Sequence, residues 1–171
     1  RARVLGEDHP LTLSTRNNLA YTYNAVGRLD EAIALYEQVA EGQTSVLGPD
    51  HPRTLATRHS LAYAYASAER LDEAITLYEQ VAQDQARVLG TNNPRTLTTL
   101  NNIAYTYRSV GRLPEAITLY EQVMKDQIRI LGDNHPGTYN TRRELADSYR
   151  EAGRTDEIGR ASCRERVSSP V

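Results

Sequence analysis

The residues whose types could do chemistry are four histidines, a set of asparagine–tyrosine pairs and a late cluster of arginines and acids. His9, His51 and His135 fall in register at a spacing of 42 residues, with Asn93 at the intervening place. Metal ligands must converge on one ion at about 2 Å. Positions repeated at a fixed period lie along a line instead, about 8–10 Å apart where helices pack. These histidines therefore read as helix caps. His59 has no carboxylate at helical spacing, and no Ser-His-Asp arrangement, glycine-rich phosphate loop or HExxH is present. The chain is expected to be no enzyme and to need no metal or cofactor. Asn17 and Tyr21 are four residues apart, as are Asn101 and Tyr105, so each pair shares a helix face. An asparagine amide offers a donor and an acceptor, which match the N–H and C=O of a peptide group. Tyrosine adds apolar area and a hydroxyl at little entropic cost. This chemistry suits holding a polypeptide; the alternative is that the tyrosines pack between adjacent helices and the asparagines pair with each other along the stack.

The elements that must position these residues are repeats. A Leu-Gly pair stands at 5/6, 47/48, 89/90 and 131/132. The units are 5–46, 47–88, 89–130 and a partial 131–157, and the first two agree at 27 of 42 positions. A fixed period in this range marks a solenoid.

Each unit divides into two helices. Pro10 suits a first helical turn, where its missing N–H costs nothing, and Asp8 just before it can cap the free N–H groups. Leu19, Tyr23 and Val26 recur at helical spacing, and Gly27 supplies a left-handed stop. The first helices are predicted over 10–26, 52–68, 94–110 and 136–152. Pro114 replaces Asp30 and Asp72 at one register, which marks the start of a second helix. These run over 30–46, 72–88 and 114–130, with an apolar stripe through Leu29, Ile33, Tyr36, Val39 or Ala40, and Val46. Ala32, Ala74 and Ala116 should lie where the paired helices approach, with Tyr36, Tyr78 and Tyr120 filling space between repeats. Glu69 replaces the turn glycine and should strain the backbone. Gly42 sits inside a helix, at about 1 kcal/mol relative to Ala. The fourth unit is expected to lack its second helix.

The pattern Leu19-Ala20-x-x-Tyr23, Gly27, Ala32, Tyr36 resembles the tetratricopeptide repeat (TPR). The 42-residue period, the LG-x-D/N-H/N-P links and the Asn-rich first helices are similar to the longer repeats of kinesin light chain and of repeat arrays in bacterial signalling proteins. The resemblance implies an all-α fold, a right-handed α-solenoid of stacked helix-turn-helix units. It also implies a concave wall made by the first helix of each unit. Carried across residue by residue, the candidate binding positions are Asn17, Asn18, Tyr21 and Asn24 in the first unit, then His59, Ser60 and Tyr63. Asn101, Asn102, Tyr105 and Arg108 follow in the third unit, and Arg143 and Arg150 in the fourth. The wall is nearly uncharged in the first two units and charged in the fourth, where Glu144 and Asp147 accompany the arginines. The implied function is a protein-interaction scaffold holding a protein or peptide ligand in that groove. The alternatives are a regulatory or sensor array within a larger nucleotide-binding signalling ATPase, and a spacer that self-associates through its exposed array ends.

Composition narrows the partners. The formal net charge of −2 supplies no basic field for nucleic acid. No apolar run approaches a membrane span, so a cytoplasmic location is expected. The repeat register fails where Ile158 stands in place of the alanine of earlier units. From that point EIGRASCRERV resembles the in-frame translation of a short-read sequencing adapter. Residues 158–171 are thus expected to be a non-native tail after a 1–157 array, and the chain reads as a fragment of a longer array. Without the tail, 17 basic and 21 acidic residues remain, and the one cysteine, Cys163, is lost.

Overall fold

The computed structural model describes residues 6–158. Among them seven helices follow one another: α1 (Pro10–Ala25), α2 (Leu29–Leu47), α3 (Pro52–Ser67), α4 (Leu71–Leu89), α5 (Pro94–Ser109), α6 (Leu113–Leu131) and α7 (Pro136–Glu151). The predicted boundaries hold to within one residue. No strand occurs among the described residues, and the fold is an α-solenoid of consecutive helix-turn-helix units. The helical turn expected at residues 1–5 and nearly all of the suspected tail lie outside the described residues. Residues 155–158 form a helical turn where the fourth unit was expected to have no second helix.

Local chemistry explains why each helix starts and stops. Each odd-numbered helix opens on proline, and the cap is the residue immediately before it. Nδ1 of His9, His51 and His135 accepts from the backbone N–H of Leu11, Arg53 and Gly137 at 3.1–3.2 Å. Asn93 Oδ1 does the same for Arg95 at 2.9 Å. The cap is thus His9 rather than Asp8, because the side chain at the N-cap reaches the free N–H groups. One turn later a buried threonine ties the helix to the preceding link. Thr12, Thr54, Thr96 and Thr138 each donate to the carbonyl of a Leu-Gly glycine at 2.9–3.0 Å. Glu69 does adopt φ +59°, where the other three turns carry glycine at +69° to +79°.

A second recurring device closes each helix pair. The Arg28 guanidinium lies 4.2 Å over the Tyr23 ring and bonds Glu31 at 2.9 Å. Arg70, Arg112 and Arg154 repeat this over Tyr65, Tyr107 and Tyr149, each bonded to the glutamate three residues on. A cation over an aromatic face together with a carboxylate fixes the side chain on both sides.

The helices pack as two bodies, Arg1–Thr99 and Leu100–Val171. In the N-terminal body Ala20, Ala32, Ile33, Tyr36, Leu61 and Ala64 form a buried cluster. In the C-terminal body Ala104, Ala116, Ile117, Tyr120, Leu145 and Tyr149 do so, with Ile158 packed against them. The alanine and tyrosine columns are therefore core, as expected. The stripe through Leu19 and Val26 is not: these are 42% and 65% exposed, because no described helix covers that side of α1. Leu61, Ile103 and Leu145, at the register of Leu19, are buried. Val46 is likewise 47% exposed and belongs to a surface depression rather than to the core. Gly42 has a packing reason. A Cβ there would come within 2.9 Å of Leu13 Cδ2 and 3.0 Å of Asp8 Oδ1. Leu13 is 2% exposed and has nowhere to retreat.

Candidate functional site

In the N-terminal body the exposed side of α1 and α3 carries two open concavities. The first, about 250 Å³, is bounded by Ser14 and Asn17 of α1, Gln43 and Val46 of α2, and Arg53, Ala56 and Ser60 of α3. The second, about 290 Å³, is bounded by Ala56, His59 and Ser60 of α3, Gln85 of α4, and Arg95 and Thr98 of α5. Ala56 and Ser60 border both, so the two adjoin along α3. Tyr21 and Tyr63 stand on the same helices, 68% and 53% exposed.

Of the candidate residues here, Asn17 and His59 have a further task. Thr57 Oγ1 donates to Asn17 Oδ1 at 3.1 Å, and His59 Nδ1 lies 2.9 Å from Thr99 Oγ1. Both contacts join consecutive first helices at the same repeat register. Thr99 Oγ1 also donates to Gln85 Oε1 at 2.7 Å. A hydroxyl has one proton, so with that proton on Gln85 the His59 ring donates from Nδ1. His59 meets Tyr78 edge to face at 5.3 Å, and burial holds its pKa below the ordinary histidine value. Asn18 is exposed, and Asn24 is half-buried, its Oδ1 without a hydrogen-bond partner among the described residues. Ser60 Oγ bonds the Ala56 carbonyl.

In the C-terminal body Asn101 Oδ1 takes the same bond, from Thr141 at 3.0 Å. Asn102 is half-buried and Tyr105 is 55% exposed. The charged candidates are drawn together by acids. Arg108 reaches Glu144 at 2.7 Å and Glu151 at 2.8 Å. Arg143 also meets Glu144, at 2.7 Å, and Arg150 meets Asp147 at 2.5 Å. The charge expected to face a ligand on this body is thus matched within the body.

Sequence reasoning missed Arg53, Arg95 and Gln43. Fourteen arginines lie among the described residues, and twelve contact a carboxylate. Arg53 and Arg95 are the two that do not. The signal was present in the links His51-Pro52-Arg53 and Asn93-Pro94-Arg95, where the first unit has Leu11 and the fourth Gly137. Gln43 is 6% exposed and its buried Oε1 has no hydrogen-bond partner among the described residues, unlike Gln85.

A tetratricopeptide-repeat family model matches residues 1–45, 11–84, 65–126 and 95–158. The chain belongs to the tetratricopeptide-repeat family. Its fold is similar to that of the nearly identical TPR-like repeats of a Podosopora anserina protein described as a kinesin light chain. A substituted form of that protein is 35% identical over 96% of this chain and 78% of its own, with a TM-score of 0.82. The form without that substitution is 32% identical over 95% and 79%, with a TM-score of 0.80. BtubC from P. vanneervenii shares the fold at 19% identity, over 94% of this chain and 67% of its own, with a TM-score of 0.76. No curated protein matches the sequence. No helix among the described residues is long and apolar enough to cross a membrane. TPR arrays are protein-interaction modules as a class, and this one has the helix pairs and repeat links of that class.

Proposed function

We propose that this TPR array is a scaffold that holds an extended protein segment on the face made by its first helices. One observation carries the reading. In the N-terminal body that face keeps two large tyrosines exposed on the helices that border two adjoining concavities. Rigid aromatic side chains beside uncommitted polar groups are what a peptide-binding surface needs. The opposite faces of these helices, with Ala20 and Ala64, are consumed in packing with Ala32 and Tyr36 of α2.

Ala56 offers a direct test because it borders both concavities and is exposed. Ala56→Phe fills both without touching the core. Peptides selected by the intact chain from a random library should lose at least tenfold in affinity for this variant, with helical circular dichroism unchanged. Selection of no peptide at all, or of peptides indifferent to Ala56→Phe, contradicts the reading.

A further inference from the structure

We infer that the exposed stripe Leu19, Thr22 and Val26, along and just beyond α1, is a docking surface for an amphipathic helix with the chemistry of the array's own second helices. This surface is separate from the proposed groove, since none of the three borders either concavity. They follow one another at i, i+3 and i+7, so they share one side of the helix. All three are exposed, and none carries charge. The same register is covered in every later unit. Leu61 and Ala64, Ile103 and Thr106, and Leu145 and Ser148 are all buried.

Two interfaces within the bodies show what covers that register. Leu61 and Ala64 of α3 pack with Ile33 and Tyr36 of the preceding second helix, α2. Leu145 of α7 packs with Tyr120 and Met124 of α6 in the same way. A hydrogen bond marks both interfaces. The Tyr65 hydroxyl donates to Glu37 of α2 at 2.7 Å, and that of Tyr149 donates to Glu121 of α6. Tyr23 stands at this register on α1 under the Arg28 guanidinium, and no described residue supplies the matching glutamate. The end of the array thus offers an uncharged stripe beside a phenol placed for a carboxylate. A helix with apolar residues three apart and a glutamate next to the second, as in Ile33, Tyr36 and Glu37, satisfies both.

The sequence selects among the second helices. Residues 17–23 read NNLAYTY and residues 101–107 read NNIAYTY, with Val26 matched by Val110. The stripe on α1 is therefore that of α5 rather than that of α3, where Ala64 and Ala68 stand. The second helix that precedes α5 in the chain is α4. Ala2-Arg3-Val4-Leu5, ahead of the first link, repeat Ala86-Arg87-Val88-Leu89 at the end of α4. The expected occupant is a helix of the α4 type, LDEAITLYEQVAQDQARVL, with the glutamate after its tyrosine facing Tyr23.

The test uses the full chain and a labelled 19-residue peptide of the α4 sequence, followed by fluorescence anisotropy and circular dichroism. A helix of this length is marginal alone in water, so helicity should rise on binding. Thr22→Arg and Val26→Arg should each weaken binding at least tenfold, because each buries a charge beneath the peptide. Both positions are exposed, and a cation suits the end of a helix, so thermal unfolding of the free chain should not fall. Tyr23→Phe in the chain and Glu79→Gln in the peptide should each cost about threefold, and the two together no more than either alone. Binding that is indifferent to Thr22→Arg and Val26→Arg, or a peptide of the α3 sequence binding as tightly, overturns the inference. So does no binding of the α4 peptide. A mass of the chain alone that rises with concentration and is held at the monomer by Thr22→Arg overturns the helix occupant in favour of a second copy.

Discussion

The two bodies of this array carry the same first-helix architecture and treat their arginines in opposite ways. In the C-terminal body Arg108 sits between Glu144 and Glu151, and both are drawn from α7, while Arg143 and Arg150 find acids one and three residues away. In the N-terminal body Arg53 and Arg95 border open concavities and meet no acid among the described residues. Counting charges along the sequence points the other way, to a neutral N-terminal wall and a charged C-terminal one. The difference lies in who the neighbours are. Glu144 and Glu151 come within reach of Arg108 because helices 42 residues apart in register pack side by side. A charge that has a partner in the fold is held by it, and one without stays open to solvent.

Removal of Arg108 tests the first half of that contrast most forcefully. Its side chain is 21% exposed and that of Glu144 is 16%. Truncating one member of a poorly solvated pair leaves the other charge uncompensated. Arg108→Ala should lower unfolding free energy by about 2 kcal/mol, read by urea denaturation, and should barely change peptide affinity. A stable variant with lost affinity would reverse the roles assigned to the two bodies.

A smaller effect is expected where the repeats themselves differ. The second and third repeats carry Asp84 and Asp126 at the register of Gly42, and Asp84 bonds Arg58 at 2.8 Å. Gly42→Asp restores the repeat consensus yet should destabilise by about 1 kcal/mol or more, since its Cβ meets Leu13 and its carboxylate approaches Asp8. Glu69→Gly should do the opposite and stabilise by about 1 kcal/mol by relieving the positive φ. Both are measurable as midpoint shifts in the same denaturation series.

His59 gives a pH-dependent contrast with Asn17 and Asn101, which occupy its register. Its pKa is lowered in the folded state by burial. The unfolded chain therefore binds the proton more readily, near pH 6.5. Stability from this site is complete above that pH and falls as pH drops below it. His59→Asn should flatten the difference in stability between pH 7.5 and pH 5.5. An unchanged difference would mean that other groups carry it.

Much of this was legible in the sequence, for reasons that depend on local chemistry. Proline at the first position of each odd-numbered helix, glycine in three of four turns and apolar residues at helical spacing fix the element boundaries whatever surrounds them. The left-handed turn at Glu69 followed from its alignment with Gly27 and Gly111. The burial of Ala74 and Tyr78 followed from their recurrence. What depends on neighbours was not legible. Leu19 looks the same as Leu61 in the sequence, but among the described residues Leu61 is buried and Leu19 is not. Nothing in the sequence shows that Asn17 and Asn101 accept bonds from Thr57 and Thr141, 40 residues on. Arg53 and Arg95 are two arginines among many until the acids around the others are located. Pairing is a property of packing, and a periodic sequence fixes the register without showing which side chains reach across it.

The account turns on which face receives a partner. The most direct measurement is a titration of the isotope-labelled chain with a peptide that it selects from a random library, followed by amide NMR shifts. The account predicts the largest changes at Ala56, Ser60 and Tyr63, with the signals of Arg108, Arg143 and Arg150 nearly still. Shifts centred on Arg143 and Arg150, or spread over α2 and α4 away from both concavities, would contradict it.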